Sequence, residues 1–115
     1  MRFSRSLKEN HLFRRLYRKG QSLANGFLVL YCRENGLGEN RLGLTVSAKM
    51  GCAVKRNRIR RRLREIYRLN EEKFIPGHDI VIVVRSRAME ADYRSLEKAM
   101  LSLGNRLGIL KEKQA

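Results

Sequence analysis

Residues Lys55 to Arg68 read KRNRIRRRLREIYR, eight Lys or Arg with a single acid, and their few apolar residues recur at helical spacing. Ile59, Leu63 and Ile66 fall at i, i+4 and i+7, so one stripe can enter a core while Asn57, Arg61, Arg64 and Arg68 point the opposite way. A solvated helix face usually mixes signs so that acids and bases pair along it, and here only Glu65 is available to do so. Cations held on one side of a folded helix repel one another, and a polyanion is the partner that offsets the cost. The segment reads as a nucleic-acid-binding helix docked on a sheet.

Working towards the N-terminus, Arg41 to Ser47 alternates, with Leu42, Leu44 and Val46 on one face and Arg41, Gly43, Thr45 and Ser47 on the other. Phe27 to Arg33 alternates as well, placing Leu28, Leu30 and Cys32 opposite Phe27, Val29 and Tyr31. Between them Glu34 to Asn40, ENGLGEN, has the Gly and Asn content of a hairpin loop. The Tyr31 and Thr45 sides are expected to make one open, partly polar sheet face rather than core. A first helix is expected near residues 8 to 19, started by a Ser6–Glu9 capping box or by Asn10, striped by Leu12, Phe13, Leu16 and Tyr17, and stopped at Gly20.

Towards the C-terminus the basic helix should end near Asn70, before Glu71, Glu72 and the Pro76-Gly77 turn. Ile80 to Val84, IVIVV, is apolar on both faces and predicts an interior strand. A last helix, capped by Asp92, carries Tyr93, Leu96, Met100, Leu103 and Leu107 on one stripe; Gly104 should weaken it, and Lys111 to Ala115 should fray.

A chain of 115 residues with 43% hydrophobic content fits a single domain over 1–115, with an ordered core from about 8 to 107. Its net charge is +15, and without the fourteen-residue segment the rest still carries +8. Basicity belongs to the whole molecule, as expected of a protein that meets phosphate on more than one face. Cys32 and Cys52 are far apart and suggest neither a zinc site nor a disulfide framework. No run approaches the roughly 18 apolar residues of a membrane span, and MRFSRSLKEN lacks the apolar stretch of a signal peptide. The basic helix offers only Ile, Leu and Tyr, too little for a lipid-facing stripe. A cytoplasmic location, no membrane and no small-molecule substrate are the expectations.

Nucleases built from protein use clustered carboxylates on a metal, or a His-based acid and base. The acids here are scattered along the chain, and His11 and His78 have no partner fixed by sequence. Aromatic residues are instead mixed with basic ones. Phe13 and Tyr17 stand at i and i+4, and Tyr31 lies on the sheet face that the apolar core does not use. Such platforms hold single-stranded nucleic acid, at roughly 1–3 kcal/mol per stacked base. In GCAVKRNR, Gly51 to Arg58, a glycine turn runs into a helix whose first turns carry Arg56, Asn57 and Arg58; orphan N–H groups favour phosphate there, and Arg adds bidentate recognition.

With these residues the chain resembles the protein subunit of bacterial ribonuclease P. The resemblance runs through Phe13 and Tyr17 before Lys19-Gly20, Ser22 to Asn25, Phe27 to Tyr31, Arg41 to Val46, Ser47-x-Lys49-x-Gly51, Ala53-Val54 and Arg56-Asn57-Arg58 leading into Arg60-Arg61. It implies that a large RNA, using Mg²⁺, cuts the 5′ leader from precursor tRNA, that the metal acts through that RNA with none held tightly by the protein, and that the protein broadens substrate recognition. Carried over by position, Ser47, Lys49, Arg56, Asn57, Arg58, Arg60, Arg61 and Arg64 would contact the catalytic RNA, and Phe13, Tyr17 and Tyr31 would line a leader cleft. It also implies an uncommon left-handed crossover between parallel strands. Cys52 departs from the Asn common in the family after the turn glycine, and a thiol caps a helix poorly. The expected fold is an α+β two-layer sandwich of αβββαβα order on a small mixed sheet. A structural RNA-binding protein would share the charge without needing an aromatic cleft, and a major-groove DNA reader would need a second helix packed beside the basic one, where strands stand instead.

Overall fold

Five consecutive β-branched apolar residues, Ile80 to Val84, take the centre of the sheet. The computed structural model describes residues 4–7 and 10–111. Its order is β1 (Ser4–Ser6), α1 (Asn10–Lys19), β2 (Gln21–Ala24), β3 (Leu28–Glu34), β4 (Asn40–Thr45), α2 (Ala53–Asn70), β5 (His78–Val84) and α3 (Tyr93–Arg106). Short 3-10 turns at Ala48–Met50, Glu71–Lys73 and Ser86–Glu90 flank α2 and precede α3.

The sheet runs β1-β4-β5-β3-β2. β5 pairs antiparallel with β3, Val83 opposite Val29, and parallel with β4, Val83 opposite Thr45. The expected hairpin between β3 and β4 is therefore corrected. The loop 35–39 steps over β5, whose two apolar faces suit it to the interior of the sheet, and β3 and β4 flank it. α2 is the crossover that joins the parallel pair β4 and β5. An N-terminal strand, β1, adds to the expected order; it is three residues long, too short to show alternation. Ser6 lies in that strand and Glu9 outside the described residues, so the proposed capping box falls away from the start of α1 at Asn10. Residues 112–115 of the expected tail also lie outside the described residues.

Successive β5 side chains feed two cores. Ile80, Ile82 and Val84 meet Ile59, Leu63, Ile66 and Tyr67 of α2 and Leu96, Met100 and Leu103 of α3. Val81 meets Leu7 and Leu16, with Leu12, Phe13, Tyr31 and Val83 packed around them. The Tyr31 side, expected to be open, thus holds a small core under α1 and is open only beyond it. Gly104 has a packing role where weakness was expected: Leu110 and Phe74 lie 3.2–3.3 Å from where its Cβ would stand, and the helix continues through it to Arg106.

Two polar ties fix the far end of the sheet. Arg41 makes a bidentate pair with Asp79, at 2.7 and 2.8 Å, and Asn35 donates to the same carboxylate at 3.0 Å. The Tyr67 hydroxyl lies 2.8 Å from Ser4 Oγ and accepts from Asn40 Nδ2 at 3.2 Å, while burial pushes the phenol's pKa up.

Gly43 leaves room for the Phe13 ring of α1 against β4. A Cβ there would stand 2.6 Å from Phe13 Cζ and 3.3 Å from Val81 Cγ2. Gly43→Ala should push the Phe13 ring off β4 and lower the unfolding free energy by about 1–3 kcal/mol, as for other overpacked sites. The denaturant midpoint reads this at unchanged slope; an unchanged midpoint would mean that the ring swings aside freely.

Candidate nucleic-acid interface

The start of α2 is built from a turn whose backbone the sequence dictates. Ser47 leaves β4 with extended φ/ψ and its Oγ accepts from Lys49 N at 3.2 Å, capping the 3-10 turn. Gly51 then adopts φ 135°, a left-handed value that a side chain would strain. Cys52 follows as the N-cap of α2, and its side chain makes no cap hydrogen bond. Its φ −69° and ψ 166° are the extended geometry in which an Asn cap works. Cys52→Asn should raise stability by about 0.5–2 kcal/mol. Thermal unfolding tests this, and a fall in melting temperature would count against the capping argument.

Packing turns the cations of α2 outward. Ile59, Leu63, Ile66 and Tyr67 are 4% exposed or less, and each such side chain stabilises by about 1.5–3 kcal/mol. Like charges three or four residues apart on a helix cost only about 0.2–0.5 kcal/mol per pair, so burial wins and the helix forms. Asn57, Arg58, Arg61, Arg64 and Arg68 are exposed, and Arg56 and Arg60 partly so. Asn57 Oδ1 accepts from Arg60 at 3.0 Å and orients it. Arg68 is tied to Glu65, whose carboxyl pKa its guanidinium holds down. Arg62 donates to the Ala91 carbonyl at 3.1 Å and serves the fold. Arg58, Arg61 and Arg64 have no partner among the described residues. Ser47 and Lys49, both exposed, stand beside the helix start.

The aromatic residues form a second feature on the α1 side. The Tyr17 and Tyr31 rings meet edge to face with centroids 4.8 Å apart, and Phe13 lies 6.4 Å from Tyr17. Tyr17 is 40% exposed, and its hydroxyl lies 3.2 Å from Thr45 Oγ1. Asn10, Phe13, Arg14, Tyr17 and Thr45 line a hollow of about 460 Å³. The structure thus brings Phe13, Tyr17 and Tyr31 together, and it keeps them apart from α2, across the sheet. The two features join where β4 leaves the sheet, because Thr45 borders the hollow and Ser47 begins the turn into α2.

Two cations at this end escaped the sequence reading. Arg85 and Arg87 follow β5, both exposed, where that strand runs beside Thr45. Arg85 donates to the Asn25 carbonyl at 2.8 Å, and the Arg87 guanidinium lies 5.2 Å from the centroid of the Phe27 ring. The signal available in the sequence is the run Arg85-Ser86-Arg87 directly after IVIVV. Among the described residues no group of three or more His, Cys, Asp or Glu is placed to hold a metal ion, and no helix is long and apolar enough to cross a membrane.

A mixed sheet with a one-sided cationic helix on one face and an aromatic hollow on the other defines a class of small basic α+β proteins suited to a polyanion. The sequence model of the family Ribonuclease P matches residues 1–108. The ribonuclease P protein component of Alkaliphilus oremlandii is 43% identical over 104 residues, 90% of this chain and 91% of that protein. That of Alkaliphilus metalliredigens is 42% identical over 110 residues, 96% and 99% of the two chains. Among solved structures, the Staphylococcus aureus RNase P protein superposes with a TM-score of 0.84 at 29% identity, covering 95% of this chain and 98% of that one. The Thermotoga maritima RNase P protein gives 0.79 at 32%, covering 84% and 92%. The chain belongs to the ribonuclease P protein family. Members of that family are protein components of an endoribonuclease of tRNA processing.

Proposed function

We propose that this chain binds the catalytic RNA through α2 and the 5′ leader of precursor tRNA through the aromatic hollow, while the RNA carries out the cleavage with Mg²⁺. The observation that carries the reading is the exposed row Asn57, Arg58, Arg61 and Arg64 on a helix whose opposite face is fully packed. Lys49, Ser47, Arg56 and Arg60 extend that row around the helix start, where backbone N–H groups also favour phosphate. Phe13, Tyr17 and Tyr31 offer stacking surface to a single strand without demanding a sequence, which broadens the range of precursors accepted. Cations neutralise crowded RNA phosphate and so lower the Mg²⁺ needed for the assembled complex to act. The work is done in the cytoplasm, where precursor tRNA is made.

Reconstitution with the cognate RNA tests this. At low Mg²⁺ the protein should restore leader removal that the RNA alone performs poorly, and the protein alone should cut nothing. No gain at low Mg²⁺, or cutting by the protein alone, would contradict the proposal.

A further inference from the structure

The basic helix α2 is not the only acid-poor helix. α1 carries Arg14, Arg15, Arg18 and Lys19 in ten residues with no acid. All four cations are exposed, and no acid among the described residues pairs with them. Leu16 is the buried residue of α1, 2% exposed, and fixes its rotation on the sheet. At 3.6 residues per turn, Tyr17 falls about 100° to one side of Leu16 and Arg15 about 100° to the other. Phe13 and Tyr17 therefore form the flank beside the aromatic hollow. Arg15 and Lys19, again at i and i+4, form the opposite flank, with Arg14 and Arg18 on the crest between. Arg14 also borders the hollow. The far flank leads into a second, polar hollow of about 540 Å³, lined by Lys19, Gln21, Arg33 and His78, with Glu34 its one acid.

A strand whose bases stack on Tyr17 and Tyr31 lies on the wrong side of α1 to reach Arg15 and Lys19, since a helix with its side chains is about 10 Å thick. The far flank calls for a separate phosphate backbone. α2 meets the sheet from the Ile80 face and α1 from the Val81 face, so their outer surfaces look in opposite directions. The protein measures 37 × 36 × 25 Å, and a partner that touches both surfaces at once must be large and folded.

We infer that Arg15, Arg18, Lys19 and Arg33 form a second RNA-binding face, which holds a phosphate backbone of the catalytic RNA on the side of the sheet opposite α2. One folded RNA then grips the protein from both layers, and the leader runs between them in the aromatic hollow. This rests on the reading that α2 docks on that RNA, and the test below separates the two.

The triple variant Arg15→Ala, Arg18→Ala and Lys19→Ala removes three exposed cations and keeps good helix formers in place. Its binding to the catalytic RNA, without precursor tRNA, is measured across a salt series. The slope of log K against log salt should become shallower by about two to three, and Arg33→Ala, off the helix, should remove about one more. Hydroxyl-radical footprints of the same complexes should lose protection at nucleotides other than those lost with Arg61→Ala. Preference for leader-bearing over leaderless substrate should stay as in the parent protein. An unchanged slope would overturn the inference and make α1 a solvated surface. Loss of leader preference with catalytic-RNA binding intact would overturn it too, by assigning the flank to substrate. If Arg61→Ala leaves slope and footprint untouched while the α1 variant alters both, docking by α2 fails and the α1 face stands.

Discussion

Replacing Arg58, Arg61 and Arg64 together with Ala is expected to lower affinity for the catalytic RNA about 100-fold at physiological salt. It should also make the slope of log K against log salt shallower by about two to three. Each of these side chains is exposed and unpaired among the described residues, so each is free to displace a counterion from phosphate. The packed stripe Ile59, Leu63 and Ile66 is untouched, and Ala is a better helix former than Arg, so the variant should fold as the parent does. Arg62→Ala is the contrasting change. Its guanidinium is bonded to the Ala91 carbonyl, and its removal should lower stability with little effect on the salt slope. Comparable slope changes from Arg62→Ala and from Arg61→Ala would mean that the charge acts only through the overall field of the molecule.

Tyr31→Ala is expected to act on the other RNA. It should reduce discrimination between precursor tRNA and leaderless product by about 1–3 kcal/mol, about 5- to 150-fold, while catalytic-RNA binding stays unchanged. Tyr31 braces Tyr17 edge to face at 4.8 Å, and Tyr17 is held from its other end by Thr45. Tyr17→Ala and Tyr31→Ala should therefore be less than additive in the double variant, as residues in direct contact are. An equal loss for substrate and product would reduce Tyr31 to a support of the small core under α1, where it packs beside Val81 and Leu16.

The basic helix was legible because two periodic signals coincide in it. Its apolar stripe fixes which way it faces, and the shortage of acids fixes what its outer face can meet. The centrality of β5 was equally plain, since a strand apolar on both faces suits the interior of a sheet. The pairing was less legible. ENGLGEN has the composition of a hairpin turn, yet Asn35 spends its side chain on Glu39 O and Asp79, anchoring a loop that spans β5. A strand arriving forty residues later leaves no mark on the loop it separates. β1 escaped for want of length, and Arg41–Asp79 because a charge partnered across the sheet looks in sequence like any surface charge.

The candidate residues were found one by one, and their grouping came from the fold. Phe13 and Tyr17 predict one flank of α1 from spacing alone. That Thr45 borders the hollow while Tyr31 meets Tyr17 beside it depends on β5 lying between β3 and β4, which sets the distance between Tyr31 and Thr45 across the sheet. Arg85 and Arg87 needed the same register to be placed beside Thr45. Cys52 shows a different limit: the sequence predicted a poor cap, and only the observed φ and ψ show that the backbone is already arranged for a good one.

The central claim is that two separate surfaces of this protein meet two different RNAs. Photo-crosslinking from single positions in the assembled complex of protein, catalytic RNA and precursor tRNA tests it most directly. A crosslinker at position 61 should label the catalytic RNA, and one at position 31 should label nucleotides of the 5′ leader. Labelling of the same RNA from both positions, or of the leader from position 61, would contradict the account.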